Sequence, residues 1–72
     1  MQLASTTYRT VTDETVPTGK RDYRVLIGKK DKADFRAIVT GDGISISLSK
    51  VKSEEKATDF AEEVIELCEV AL

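Results

Sequence analysis

Apolar and polar residues alternate with a period of two along three runs in the middle of the chain, and each run predicts a β-strand. In residues 23–29, Tyr23, Val25 and Ile27 share one face while Arg24 and Leu26 share the other. In residues 35–40, Phe35, Ala37 and Val39 oppose Arg36, Ile38 and Thr40. Residues 44–49 alternate most regularly, with Ile44, Ile46 and Leu48 inward and Ser45, Ser47 and Ser49 outward. The connections, residues 30–34 and Gly41-Asp42-Gly43, are short and polar, as antiparallel hairpins require.

From Ser53 onward the period changes to that of a helix. Ser53 reads as an N-cap, with Glu54 and Glu55 in a first turn where negative charge favours the helix dipole. Ala57, Phe60, Ala61, Val64, Ile65, Leu67, Cys68, Ala71 and Leu72 fall on one arc roughly 160° wide, the width that suits a helix laid on a sheet. Glu55, Asp59, Glu62, Glu63, Glu66 and Glu69 occupy the opposite side, where Val70 is the only apolar residue. The N-terminal part has no clear period. Thr-rich residues 3–12, with Tyr8 and Val11, suit an edge strand, and residues 13–21, with Pro17 and Gly19, read as a loop; residues 1–21 also admit a partly mobile tail. The expected fold is α+β in a single domain spanning residues 1–72. A three- or four-stranded antiparallel sheet (residues 22–52, with residues 1–21 as the added strand) carries one C-terminal helix (residues 53–72) on one face.

Composition limits what such a domain can do. The chain has 72 residues, 40% of them hydrophobic and 33% charged, with one Cys, no His and no Trp. A chain of this size buries about 60% of its unfolded surface, enough for one small core. Its apolar content is too high for a disordered chain, and no run reaches the roughly 20 residues of a membrane span. One Cys closes no internal disulfide, and no signal peptide is visible, so a cytoplasmic protein without membrane association is expected. Without His, general acid–base chemistry near neutral pH loses its usual agent, and Cys68 lies mid-arc as a buried thiol. The residues therefore point to no enzyme, metal or other cofactor.

Charge separates the two parts of the chain. Residues 1–52 hold ten Lys and Arg against six acids, a net of +4, and residues 53–72 hold Lys56 against seven acids, a net of −6. With the helix on one sheet face, the two sets lie on opposed sides, and such a field can steer a charged partner although the net charge is only −2. Arg24, Arg36, Ser45 and Ser47 on the outward sheet face suit contacts with phosphates and base edges, with Lys20, Arg21, Lys29 and Lys50 placed for phosphates. Leu26 and Ile38 on that face suit a protein partner instead.

The run Ala33-Asp34-Phe35-Arg36-Ala37-Ile38-Val39, the run Ile44-Ser45-Ile46-Ser47-Leu48 and the helix opening Ser53-Glu54-Glu55-Lys56-Ala57-Thr58-Asp59-Phe60-Ala61 resemble the three-stranded-sheet-plus-helix DNA-binding domains of plant ethylene-response factors and phage integrase arm-binding domains. The resemblance covers residues 22–68. It implies a sheet face set in the DNA major groove, with contact roles for Arg24, Arg36, Ser45 and Ser47. The chain departs from the pattern in lacking Trp, in lacking a Gly just before the helix and in its less basic sheet. The order of elements and the Gly43-Ile44-Ser45 strand start are also similar to the four-strand-plus-helix coactivators that bind single-stranded DNA, although such platforms need exposed aromatics.

The leading expectation is thus a small DNA-binding domain. The alternative is a phage-type inhibitor or accessory protein that engages a host protein, such as a nucleic-acid-processing one, through Glu55, Asp59, Glu62, Glu66 and Glu69 or through a sheet edge. A homodimer through an exposed strand edge is a third option.

Overall fold

A computed structural model describes residues 8–71. Four strands, β1 (Arg9–Pro17), β2 (Asp22–Asp31), β3 (Asp34–Gly41) and β4 (Ile44–Val51), precede one helix, α1 (Glu54–Ala71). The strands form an antiparallel sheet in the order β1-β2-β3-β4, so each pairs with its neighbour in sequence. The expected α+β architecture, a sheet with a C-terminal helix on one face, is what the chain adopts.

Alternation sets the two faces. Tyr23, Val25 and Ile27 of β2 and Phe35, Ala37 and Val39 of β3 are all buried under α1, together with Ala57, Ala61, Val64 and Ile65 of the helix. Ala37, Ala57 and Ala61 are essentially sealed from solvent. Small side chains on both elements let the helix lie close on β3, the strand it contacts most. Ser53 caps α1: its Oγ accepts the Lys56 amide at 3.2 Å, and its carbonyl accepts the Ala57 amide at 3.1 Å. Leu67 departs from the expected buried arc. It lies at the arc's margin and remains 62% exposed.

Two expectations require correction. The first strand runs over Arg9–Pro17, not residues 3–12, so most of the predicted loop is strand; residues 3–7 of that expectation lie outside the described residues. Exposure explains the difference. β1 is an edge strand with almost every residue open to solvent on both sides, so no apolar alternation marks it. The loop that remains is a tight turn held by Thr18, whose amide and hydroxyl both donate to the Arg21 carbonyl, at 3.1 and 3.0 Å, around Gly19 at φ 93°.

The second correction concerns β4. Ile46 and Leu48 pair with Val39 and Ala37 and so face the helix side, as expected. They nevertheless remain 37% and 43% exposed, because β4 is the outer strand and α1 is centred on β3. A bulge places one extra residue on β4 between Leu48 and Val51, with Lys50 in the left-handed region at φ 60°. The bulge restores the inward phase, and Val51 is buried opposite Phe35.

Candidate functional site

Three surfaces carry the residues singled out from the sequence. The first is the sheet face away from α1. Strand register assembles it in rows: Thr15, Arg24, Thr40 and Ser45; Asp13, Leu26, Ile38 and Ser47; and Thr10, Gly28 and Arg36. Arg24, Arg36, Ser45 and Ser47 do share this face. Both arginines, however, are already engaged within the domain. Arg24 donates Nε and Nη2 to the Asp13 carboxylate at 3.1 and 2.9 Å, and this forked bond holds Asp13 below the usual carboxylate range. Arg36 stacks on the Tyr8 ring with its guanidinium carbon 4.4 Å from the centroid.

Tyr8 is anchored at both ends. Its hydroxyl donates to Asp34 Oδ1 at 2.8 Å, and this bond is the main cause that raises its own pKa. At the other end, a Cβ on Gly28 would stand 2.8 Å from Tyr8 Cβ, too close for any side chain. The Tyr8 side chain thus lies across the open sheet face at this point, and Gly28 is the residue that admits it. A glycine inside an otherwise regular strand was the available sequence signal for such a close approach.

The remaining predicted phosphate contacts do not join this face. Lys29 pairs with Phe35, places Nζ 5.8 Å from that ring and lies on the helix side. Lys50 sits in the β4 bulge. Lys20 and Arg21 lie at the C-terminal end of α1, which forms the second surface.

That surface is organised by Glu69. Tyr23 Oη donates to Glu69 Oε2 at 2.7 Å, and Arg21 Nε lies 3.8 Å from the same oxygen, close enough to act by charge but not as a hydrogen bond. Lys20 Nζ donates to the Glu69 main-chain carbonyl at 2.9 Å. The helix has no basic residue in its own last turn, so the β1–β2 turn supplies the cation that its dipole favours. Glu69 is therefore tied to the sheet, whereas Glu55, Asp59, Glu62 and Glu66 are exposed. Of the five acidic residues expected to form a docking face, Glu69 is the one whose carboxylate is engaged within the domain.

The Tyr23 hydroxyl, then Thr18, Lys20 and Arg21, hold Glu69 below its ordinary pKa. The folded state therefore favours the charged carboxylate more than the unfolded chain does. Stability from this group is fully present above the unfolded value, near pH ~4.3, and is lost as pH falls from there through the lower folded value. Tyr23 moves the other way: burial, then the bond to Glu69, raises it, so its contribution is lost as pH rises past about 10. Thermal melts of Glu69→Gln and the parent from neutral to acidic pH test the first statement. The parent should lose more of its melting temperature on acidification than the variant, with Asp13 supplying the acid sensitivity that both retain.

The third surface was not anticipated. Because α1 is centred on β3 and reaches β2 and β4, β1 lies beside the helix and not beneath it. Between them opens a groove of about 310 Å³, floored by Val16, Val25, Ala61 and Ile65 and flanked by Thr58, Glu14, Glu62 and Glu66. Three carboxylates thus surround an apolar floor, and among the described residues no basic side chain lines it. Glu62 and Glu66 were among the predicted acidic residues. Glu14, on the opposite wall, belongs to the segment whose sequence predicts a loop and which the structure shows as β1.

Compared with protein-family models, curated proteins and solved structures, the chain matches none. The resemblance to sheet-plus-helix DNA-binding domains therefore extends to shape alone, with four strands in place of three. No helix among the described residues is long and apolar enough to cross a membrane.

Proposed function

We propose that this protein is a binding domain that holds a basic, partly apolar segment of a partner protein in the groove between β1 and α1. The observation that carries the reading is the groove lining: an apolar floor with Glu14 on one wall, Glu62 and Glu66 on the other, and no cation among the described residues that line it. Such a lining suits an aliphatic side chain flanked by Lys or Arg, whose stems pack on the floor while their charges meet the rim. Nucleic-acid-processing proteins present basic segments of this kind. The sheet face offers less to a nucleic acid, since Asp13 and Tyr8 already occupy Arg24 and Arg36, and contacts with phosphate would have to displace them.

Amide chemical shifts distinguish the two partners. Titration of the ¹⁵N-labelled protein at low salt with a peptide of alternating Leu and Arg should move the signals of Glu14, Val16, Thr58, Glu62 and Glu66. A parallel titration with a short DNA duplex should leave the sheet face unmoved. Shifts at Arg24, Arg36, Ser45 and Ser47 on adding duplex, with none in the groove on adding peptide, would replace this reading with the nucleic-acid one.

A further inference from the structure

The two edges of the sheet are protected very differently. β1 carries Asp13, Glu14 and Pro17 and is broken by a bulge between Thr10 and Thr12; each of these features discourages another strand from pairing there. β4 carries its bulge and its one charge, Lys50, only near its end, after residues 44–49. Residues 44–49 read Ile-Ser-Ile-Ser-Leu-Ser, with no charge, Pro or Gly, and among the described residues no strand pairs with their outer side. Ile46 and Leu48 on this strand stand exposed, as does Leu67 on α1. The result is an unpaired row of backbone donors and acceptors bordered by an apolar strip.

We propose that β4 is a self-association edge, pairing antiparallel with β4 of a second copy about a two-fold axis through Ile46. The sequence of the strand is complementary to itself in this register. Ile46 meets the partner's Ile46, Ile44 meets the partner's Leu48, and Ser45 meets the partner's Ser47. Asp42, in the turn before the strand, comes towards the partner's Lys50 in the bulge near the strand's end. Apolar thus faces apolar, hydroxyl faces hydroxyl and acid faces base, each twice by symmetry. A two-fold perpendicular to the sheet keeps both helices on one side and brings the exposed Ile46 and Leu48 of the two copies together. Growth stops at two copies, because the edges left over are both β1. This assignment does not depend on the occupant of the groove, which lies at the opposite edge.

Size-exclusion chromatography with light scattering, over protein concentrations up to millimolar, should show a concentration-dependent species of twice the 7.9 kDa chain mass. Ile46→Lys places two ammonium groups opposite each other on the axis and should weaken dimerisation by ~100-fold or more. Circular dichroism should show the variant still folded. Should it unfold, the exposed charge pair carries the test. Asp42→Lys alone should weaken the dimer by about tenfold, and adding Lys50→Asp should restore it, because the pair is then reversed but still complementary. A monomer at every concentration, a dimer that survives Ile46→Lys, a double reversal without rescue or open-ended assemblies that bind thioflavin would each overturn the proposal.

Discussion

Ile27→Ala is expected to lower the unfolding free energy by about 2–5 kcal/mol, the range for truncating a large, fully buried aliphatic side chain. Ile27 is one of the three largest side chains with almost no exposure, at 1%, and lies on a central strand flanked by β1 and β3. The deletion therefore removes transfer energy and leaves a cavity that neighbours on three sides cannot readily fill. A domain of 72 residues has roughly 4–11 kcal/mol in total at the usual stability per residue. The substitution takes a large fraction of that and should lower the melting temperature by about 10–30 °C. Ile46→Ala is the informative contrast. With Ile46 37% exposed on the outer strand, its truncation at low protein concentration should cost below about 1 kcal/mol. Urea titrations of the two variants measure both values, and equal losses would mean that β4 is covered as well as β2.

That contrast marks what the sequence makes legible. A period of two says which face a side chain takes, so the buried rows of β2 and β3 and the outward row of arginine, serine and threonine were readable from residues 23–49 alone. It does not say where a strand lies across the sheet. Ile44, Ile46 and Leu48 alternate as cleanly as Tyr23, Val25 and Ile27, yet only the second set is sealed, because burial on an outer strand depends on where the helix is centred. The helix is fixed locally by Ser53, the two glutamates after it and a continuous apolar arc. Its centring on β3, beside the small Ala37, is a tertiary outcome. β1 fails for the converse reason: with polar residues on both faces, it owes its strand conformation to pairing with β2 rather than to any pattern of its own.

The candidate site follows the same division. Glu62 and Glu66 stand one helical turn apart and were legible as an acidic stripe. Glu14 joins them only through β1–β2 pairing, which places it opposite Val25, a residue of the groove floor. The arginines were correctly placed on the outward face, but their partners came from beyond the readable strands. Asp13 reaches Arg24 across the β1–β2 register at 2.9 Å, and Tyr8 reaches Arg36 over Gly28. Long-range partners of this kind decide whether a surface charge is free to bind, and single-sequence patterning carries little of that information.

Simultaneous reversal of Glu14, Glu62 and Glu66 to Lys is expected to weaken binding of the Leu/Arg peptide by at least ~100-fold. An exposed ion pair contributes up to about 1 kcal/mol, and reversal exchanges that attraction for a comparable repulsion, so each site accounts for roughly a tenfold loss. The three carboxylates border one groove and share an environment, so their effects should fall somewhat short of additive. The effect should shrink as salt is raised, because rim charges act through solvent and are screened beyond roughly 8–10 Å at moderate ionic strength. All three residues are exposed, so the melting temperature should change little, and this separates loss of binding from loss of fold. Isothermal titration at two salt concentrations reads both quantities. A control reversal of Glu55 and Asp59, acidic residues of the same helix that do not line the groove, distinguishes a local rim from a general negative field. If the control weakens binding as much as the triple reversal, the helix acts by its overall charge, and the groove plays no part in recognition.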